Sequence, residues 1–331
     1  MRIFLTGATG FIGRSLYLLL KRRNHTVTCA VRKDSSDVQN RNPLFERICY
    51  FDTLNVETDF RKALENTDVV IHLAARAHML TKFDYDLYDQ FMDINFHSTR
   101  NLAEQAAQKE VKRFVFISSI GVNGKSTEAE LAYTEEDEEK PFNSYTLSKL
   151  RAEQALRKVE SDTGMEVVII RPPLVYGPGV KANFLKLLNL VHTGIPLPFA
   201  GLRNKRSFIA IDNLVDAIAE CAVHEKAGGE TFLVSDSHPL STPQLLDKIS
   251  ISMGVHLRMF YLPSPILKAV LTLFQKKGIY ERLWGNLIVD STKIQRYLGW
   301  LPKAPVDEGI QKTVQWYVEN YKRNPTIKTT C

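Results

Sequence analysis

A tyrosine and a lysine lie four residues apart in a segment that could carry proton transfer. Tyr145 and Lys149 fall within Tyr145–Thr163, whose apolar spacing predicts a helix, so their side chains share one helix face. A phenol ordinarily ionises near pKa ~10, and a neighbouring ammonium group favours the phenolate. Tyr145 would then exchange a proton with a hydroxyl or carbonyl group. The spacing alone is weak, because Tyr17 and Lys21 share it.

Two serines set Tyr145 and Lys149 apart from that other pair. Ser118 and Ser119 end an apolar run that predicts a buried strand. Their hydroxyl groups would stand at the carboxyl edge of a parallel sheet, where such folds bind ligands. A serine, a tyrosine and a lysine meeting there form a proton-transfer triad. The alternative is that Ser119 only caps the end of its strand.

Three glycines follow the first predicted strand, in the run Thr6-Gly7-Ala8-Thr9-Gly10-Phe11-Ile12-Gly13. Gly7 allows a tight turn, Gly10 lets the backbone approach a pyrophosphate, and Gly13 lets the next helix pack on the strand. The N-terminus of that helix offers free N–H groups to phosphate oxygens. A strand–glycine loop–helix unit of this kind predicts a dinucleotide site.

The elements around these residues alternate between strands and helices, which predicts an α/β fold with a doubly wound parallel sheet. The predicted strands are Ile3–Thr6, Thr26–Val31, Ile48–Phe51, Val69–Leu73, Phe114–Ser118 and Val167–Arg171. The predicted helices are Arg14–Arg23, Asp59–Glu65, Tyr88–Lys109 and Tyr145–Thr163.

The regular alternation of predicted strands and helices ends after Arg171, where five prolines interrupt it. We interpret residues 1–171 as a dinucleotide-binding Rossmann domain and residues 172–331 as mainly a smaller substrate-binding region. The two are interleaved, because Ile209–Val223 and Thr231–Val234 look like further α/β elements of the first domain.

Charge and cysteine content narrow the class of protein. The 43 basic and 37 acidic residues leave a net charge of +6 without a dense basic stripe, so no nucleic acid partner is expected. The four cysteines lie far apart and, like His72 and the other histidines, lack metal-ligand spacing, which predicts a reducing compartment and no metal. The apolar stretch Pro265–Phe274 is too short to span a bilayer. We expect a cytoplasmic protein without membrane insertion.

The string TGATGFIG, together with Tyr145 and Lys149, resembles the extended short-chain dehydrogenase/reductase family of NAD-dependent epimerases and dehydratases. The resemblance covers nearly the whole chain. It implies NAD(P)-dependent redox chemistry at C4 of a nucleotide sugar. In that family the catalytic serine lies five residues before a loop glycine, and counting back from Gly124 gives Ser119.

The resemblance also implies which residues hold each ligand. The residues that would bind the dinucleotide are Gly7, Gly10, Phe11, Ile12, Gly13, Arg32, Asp52, Thr53, Leu73, Ala74, Ala75, Asn95, Tyr145, Lys149 and Pro172. The residues that would bind a UDP-sugar are Ser119, Asn183, Phe199, Arg206 and Arg282. Leu174 departs from the family, which usually has an asparagine there, and this puts one substrate contact in doubt.

The end of the second strand bears on the choice of dinucleotide. Arg32 and Lys33 stand where NAD-specific members carry an acid, which favours the 2′-phosphate of NADP(H). The alternative is that Arg32 stacks on the adenine, an arrangement that also suits NAD(H).

Two neighbours of Ser119 separate classes of reaction. Sugar-nucleotide 4,6-dehydratases carry Asp-Glu where this chain has Ile120 and Gly121, so dehydration is not expected.

The string IRPPLVYGPGVKANFL is similar to UDP-N-acetyl-quinovosamine dehydrogenases, which predicts reduction of a UDP-4-keto-6-deoxy-N-acetylhexosamine for surface polysaccharide. The alternatives are a 4-epimerase of UDP-glucose or UDP-N-acetylglucosamine with tightly bound NAD and, more remotely, a non-enzymatic dinucleotide-sensing or RNA-binding protein.

Two predicted helices suggest self-association. Tyr88–Lys109 and Tyr145–Thr163 correspond to the pair that forms a four-helix interface in many members of the family. The candidate residues of their outer faces, some of which must face the sheet instead, are Phe91, Leu102, Leu150 and Leu156. A homodimer is therefore expected.

Overall fold

Eleven strands appear among the residues that the computed structural model describes, which are 1–34, 44–77, 85–128, 130–263, 266 and 285–323. They are β1 (Arg2–Thr6), β2 (Thr26–Arg32), β3 (Arg47–Phe51), β4 (Val69–His72), β5 (Arg113–Ile117), β6 (Ala132–Tyr133), β7 (Glu166–Arg171), β8 (Leu174–Tyr176), β9 (Phe208–Ala210), β10 (Thr231–Leu233) and β11 (Ile288–Val289).

The α-helices of the same residues lie mainly between these strands. They are α1 (Phe11–Arg22), α2 (Tyr85–Phe91), α3 (Ser98–Gln108), α4 (Ser144–Thr163), α5 (Ala182–His192), α6 (Ile211–Val223), α7 (Thr242–Met253), α8 (Thr292–Leu298) and α9 (Val306–Arg323). A π-helical segment, Met92–His97, joins α2 to α3.

Seven strands form one parallel sheet in the order β3-β2-β1-β4-β5-β7-β10. This confirms the predicted doubly wound fold. The chain runs to one side from β1 through β2 and to the other through β4, so the strand order reverses between β1 and β4. The register there pairs Thr6 with His72. The carboxyl ends of these two strands therefore border the crevice in which open α/β sheets bind ligands.

Helices cover both faces of this sheet, which explains why its strands are apolar almost throughout. On one face Leu16 of α1 and Ile218 of α6 pack against the strands, and both are fully buried. On the other face Leu102 of α3 and Leu156 of α4 are equally buried. The sheet is thus the middle layer of three, and its carboxyl edge is held by packing on both sides.

A separate apolar cluster organises the chain after β7. Tyr176, Phe184 and Tyr317 are buried there among residues of α5, α7 and α9, and β8 pairs with β9 in a small parallel sheet. β10 lies beside β7 in the large sheet. The division of the chain at residue 171 stays an interpretation.

Two helix predictions differ from the structure. The predicted helix Asp59–Glu65 is wrong, because residues 61–66 form turns. A helix of that length is marginal, and the Gln105 side chain accepts a hydrogen bond from the Phe60 N–H at 2.6 Å, outside any helical ladder. The predicted helix Tyr88–Lys109 is divided by the π-helical segment.

The predictions about membrane spans and metal sites can be compared with the described residues alone. Among the described helices, none has the length and apolar character that a bilayer span requires. The described residues likewise contain no cluster of three metal-ligating side chains. Pro265–Phe274 falls almost wholly outside the described residues, and Arg282 does so entirely.

Candidate active site

The glycine loop joins β1 to α1 in a shape that only glycine suits. Gly7 has a φ of 70°, and a Cβ atom there would lie 2.7 Å from the Ala74 nitrogen. A Cβ atom at Gly13 would lie 2.1 Å from the Gly7 oxygen. At Gly10 that same oxygen, at 3.1 Å, is the one atom among the described residues within 4 Å of an added Cβ. The backbone at Gly10 is therefore open to a ligand while the rest of the loop is filled.

The start of α1 fits a phosphate group. Gly10 caps the helix in extended conformation, and the first turn carries no acidic residue. Its free N–H groups and positive dipole end are therefore unopposed. Phe11 and Ile12 begin the helix and are partly buried. Together with the open face of Gly10, these residues fit the pyrophosphate of a dinucleotide.

Ser119 and Tyr145 come together at the carboxyl edge of β5. Ser119 follows the strand in extended conformation, and its hydroxyl accepts a hydrogen bond from the Gly121 N–H at 3.1 Å. Tyr145 lies in the first turn of α4. Burial raises the pKa of the Tyr145 phenol to about 12, while its hydrogen bond with Ser119 acts in the opposite direction. In the cofactor-free protein Tyr145 is therefore a neutral phenol, ready to act as an acid.

Lys149 lies one helical turn further along and is 2% exposed. Its ammonium group donates a hydrogen bond to the Ile117 carbonyl at 2.8 Å and lies 4.5 Å from the centre of the Phe116 ring. Burial lowers the pKa of Lys149 to about 7, and Glu153 partly offsets this effect. One carbonyl bond leaves donors on the ammonium group that can hold a ligand hydroxyl.

The start of α4 is fixed by its own cap. The Asn143 side chain accepts a hydrogen bond from the Thr146 N–H at 2.8 Å, and the Thr146 hydroxyl accepts one from the Asn143 N–H at 3.2 Å. This capping box fixes the start of the helix at Ser144 and so the position of Tyr145 in its first turn. One turn beyond Lys149, Glu153 pairs with Arg171 of β7 in a buried ion pair. The helix is thus held at both sides of its two functional residues.

Asn95 links the loop after β4 to α4. Its amide oxygen accepts from the Arg76 N–H at 2.8 Å, and its amide nitrogen donates to the Arg76 carbonyl at 3.1 Å and to the Ser148 hydroxyl at 3.0 Å. The Ser148 hydroxyl then donates to the Tyr145 carbonyl at 2.8 Å. Asn95 lies in the π-helical segment and is fully buried. Such segments occur frequently at functional sites.

The residues predicted to contact adenosine lie at the ends of β2 and β3. Arg32 lies 3.6 Å from Asp34, and Lys33 lies 3.0 Å from Asp52. All four side chains are more than half exposed. Each cation that favoured a 2′-phosphate is therefore beside a carboxylate. Thr53 follows Asp52 and is also exposed.

The remaining dinucleotide candidates border the same edge. Leu73, Ala74 and Ala75 follow β4, and the Ala74 N–H donates to the Thr6 hydroxyl at 3.3 Å. Pro172 follows β7, and its carbonyl accepts from the Ile120 N–H at 3.0 Å. These candidates therefore directly follow strands of the central sheet.

The substrate candidates lie in the part of the chain after β7. Asn183 is the second residue of α5, beside a helix N-terminus that suits phosphate. The Arg206 guanidinium donates to the Gly285 carbonyl at 2.9 Å. Phe199 is 7% exposed and belongs to the apolar cluster around Tyr176. All three lie after Arg171, in the region predicted to bind substrate, and their roles stay predictions.

Two buried hydroxyl groups beside the catalytic candidates lack a hydrogen-bond partner among the described residues, those of Ser118 and Ser144. Unpartnered buried polar groups are rare in folded proteins. They directly precede Ser119 and Tyr145 in the chain.

The sequence did not predict the buried hydrogen-bonding side chains that surround the candidate active site. His72 bridges Thr6 and Thr99 at 2.7 and 2.9 Å, and Arg171 braces Glu153. The available signal was a histidine ending a strand that is otherwise entirely apolar. Its partners are distant in the sequence, so spacing could not identify them.

Comparison with known proteins places these features in a wider group. Residues 3–235 match the model of the NAD dependent epimerase/dehydratase family. A protein of Vibrio cholerae named UDP-glucose 4-epimerase is 42% identical over 325 residues, which cover 97% of each chain. Human dTDP-D-glucose 4,6-dehydratase is 27% identical, with 97% of this chain and 91% of that protein covered.

The fold is shared with solved structures of low sequence identity. The UDP-glucuronic acid 4-epimerase of Bacillus cereus, solved with UDP-glucuronic acid and NAD, matches with a TM-score of 0.77 at 22% identity. The alignment covers 97% of this chain and all of that one. The match supports the Rossmann architecture described above.

Proposed function

The chain belongs to the NAD dependent epimerase/dehydratase family, and we propose that it catalyses hydride transfer at C4 of the hexose in a UDP-sugar. The observation that carries this proposal is the meeting of Ser119, Tyr145 and Lys149 at the sheet edge that also bears the glycine loop. A proton-transfer group beside a dinucleotide site is what oxidation of a secondary alcohol requires.

The roles of the three side chains follow from their surroundings. A nicotinamide dinucleotide held at the glycine loop would supply the hydride chemistry. Tyr145 takes the hydroxyl proton during oxidation and returns it to the ketone oxygen during reduction. Ser119 bonds the same oxygen and orients it towards the phenol. Lys149 holds the cofactor ribose, and its positive charge favours the phenolate form of Tyr145.

UDP-sugars are the proposed substrate class because two observations agree. The Vibrio cholerae relative carries a UDP-glucose name and is aligned along nearly its whole length. Asn183 at the N-terminus of α5 and the Arg206 guanidinium can bind the diphosphate. Dehydration is not proposed, because Ile120 and Gly121 supply no acid or base beside Ser119.

Among overall reactions we propose 4-epimerisation with NAD as the retained cofactor. The relative at 42% identity is named as a 4-epimerase. The carboxylates of Asp34 and Asp52 lie beside Arg32 and Lys33, so a 2′-phosphate would meet two negative charges as well as two positive ones. The second candidate is reduction of a UDP-4-keto-6-deoxy-N-acetylhexosamine by NADPH, which the presence of those two cations favours.

An assay with and without added cofactor separates the two reactions. The purified protein is incubated with UDP-glucose and UDP-N-acetylglucosamine without added nucleotide, and the products are identified by proton NMR. Epimerisation predicts the C4 epimer. Reduction predicts no change in these sugars and NADPH consumption with a UDP-4-keto-6-deoxy-N-acetylhexosamine. Turnover in neither assay would contradict the proposed function.

Arg32→Ala tests the cofactor directly. We expect the wild-type protein to bind NADH at least as tightly as NADPH. Because exposed ion pairs contribute little to binding, the substitution should change the ratio of the two dissociation constants by less than about fivefold. The dissociation constants are measured by nicotinamide fluorescence. Binding of NADPH at least about tenfold tighter than NADH in wild type, lost in Arg32→Ala, would support the reductase instead.

We also propose a homodimer formed through α3 and α4. The structure narrows the expected surface, because Phe91, Leu102 and Leu156 are all buried within the chain, whereas Leu150 is partly exposed. Sedimentation equilibrium at micromolar concentration is expected to give twice the chain mass. A mass of one chain would reject the dimer. The cytoplasmic location inferred from the cysteines stays a prediction.

A further inference from the structure

A chain of hydrogen bonds runs through the interior from the glycine loop to the backbone carbonyl of Asn95, and a second set runs from the Asn95 side chain to the catalytic helix. The Ala74 N–H donates to the Thr6 hydroxyl, which bonds Nδ1 of His72 at 2.7 Å. Nε2 of His72 bonds the Thr99 hydroxyl at 2.9 Å, and that hydroxyl donates to the Asn95 carbonyl at 2.7 Å.

The number of protons fixes the direction of every bond in this chain. Thr99 has one hydroxyl proton and gives it to Asn95, so its oxygen must accept from His72. His72 therefore carries its proton on Nε2. Nδ1 is then an acceptor, and Thr6 donates to it. Because Thr6 accepts from the Ala74 N–H, each group is used once as donor and once as acceptor.

Burial keeps His72 in this single neutral form. The ring is fully buried, and it stacks 5.9 Å from the Phe116 ring. Desolvation, with a smaller effect of Lys149, lowers the pKa of His72 to about 3. A second proton on the ring would face the Thr6 hydroxyl proton and break the sequence of bonds.

The far end of the chain reaches the catalytic tyrosine. Asn95 bonds the backbone of Arg76 in both directions and donates to Ser148, which donates to the Tyr145 carbonyl. Thr6 and Ala74 at the near end border the dinucleotide loop. The two sets of hydrogen bonds, joined through Asn95 itself, therefore connect the glycine loop to the backbone of Tyr145.

We propose that His72 is a positioning residue that acts through Thr99 and Asn95 to hold Tyr145 in register with the dinucleotide loop. The proposal deepens the proposed function and rests on it for the turnover readout. His72 touches no reacting atom. A loss at this position should therefore lower kcat while leaving the KM for the sugar nearly unchanged.

Thr99→Val tests the proposal with a matched control. The substitution removes one hydroxyl group and keeps the side-chain shape. Thr313 offers the same change elsewhere, since it is fully buried and donates to the carbonyl four residues earlier, at 2.6 Å, in α9. We expect Thr99→Val to lower kcat about tenfold with KM within about twofold, and Thr313→Val to change kcat less than about twofold. Equal effects of the two substitutions would overturn the proposal.

Coupling along the chain gives a second kinetic readout. Ser148→Ala is made both in the wild-type protein and in Thr99→Val. If the two residues act through one path of hydrogen bonds, Ser148→Ala should lower kcat by less than about threefold in Thr99→Val and by clearly more in the wild-type protein. Independent, multiplying effects would contradict a shared path.

Nitrogen NMR of histidine-labelled, cofactor-free protein separates failure of this proposal from failure of the proposed function. The His72 signal is assigned by its loss in His72→Gln. We expect a neutral ring with the proton on Nε2 in wild type and in Thr313→Val, and a changed Nε2 environment in Thr99→Val. A proton on Nδ1 in wild type would overturn the chain whether or not any UDP-sugar is turned over.

Discussion

Replacing Tyr145 with phenylalanine is expected to lower kcat at least ~100-fold, because general acid–base transfer contributes that much or more. The phenol is the group placed to move the proton, and its hydrogen bond with Ser119 aims it at the sheet edge. Phenylalanine keeps the ring and its contact with Phe91, whose centre lies 6.1 Å away. The affinity for NAD should therefore stay within about threefold of wild type.

Tyr17→Phe is the matched control for this experiment. Tyr17 has the same spacing to a lysine, is buried, and its phenol accepts a hydrogen bond from the Glu46 N–H at 3.1 Å. It lies on α1, away from the sheet edge. Turnover should change less than about twofold per folded molecule. Equal losses of rate and of cofactor affinity in Tyr145→Phe would assign Tyr145 to binding.

Replacing Lys149 with methionine is expected to lower kcat at least ~100-fold and to weaken NAD binding about tenfold, because one ammonium group serves both the phenol and the cofactor ribose. Methionine fills much of the same buried space. Steady-state kinetics and fluorescence titration measure the two effects separately. Unchanged NAD affinity would reject the dual role.

Lys149 should also affect how the free energy of unfolding depends on pH. Burial lowers its folded-state pKa to about 7, while an unfolded lysine titrates near ~10.4. Between these values the unfolded state binds more protons, so lowering the pH costs the cofactor-free protein up to about 1.4 kcal/mol per pH unit. The contribution of Lys149 to the free energy of unfolding should therefore rise with pH across this window, whereas the buried thiols of Cys29 and Cys221, whose pKa values burial raises, act in the opposite direction near its upper end.

Lys149→Met removes this contribution, so its stability relative to wild type should be greatest near pH 7 and shrink towards pH 10. Lys21→Met is the control, because Lys21 is partly exposed and pairs with Glu46. Urea unfolding of the cofactor-free variants at several pH values measures the difference. A difference independent of pH would show that Lys149 is not desolvated as the structure indicates.

Local patterns in the sequence predicted the frame of the site. The glycine spacing located the turn after β1, and apolar runs located six of the seven strands of the central sheet. The resemblance to the family, through the count back from Gly124, identified Ser119, and the structure brings it to Tyr145. These features depend on residues close together in the chain, or on the rule that parallel strands end at one edge.

Contacts between distant elements could not be read in the same way. Asp52 lies beside Lys33 because β3 pairs with β2, so the charge that seemed to favour NADP is partly balanced. The predicted helix at Asp59–Glu65 is replaced by turns, where Gln105 of α3 accepts a hydrogen bond from the Phe60 N–H. His72 gains its partners only when β4, β1 and α3 meet. Each case depends on tertiary contacts, which override local propensity.

The central claim is hydride transfer at C4, and deuterium placed on that carbon tests it most directly. A UDP-hexose labelled at C4 is incubated with the protein under conditions that allow turnover, and the label is located in the product by NMR and mass spectrometry. We predict that the C4 epimer retains deuterium on C4 and that Tyr145→Phe forms almost none of it. Deuterium lost to solvent, or found on C6, would contradict the account.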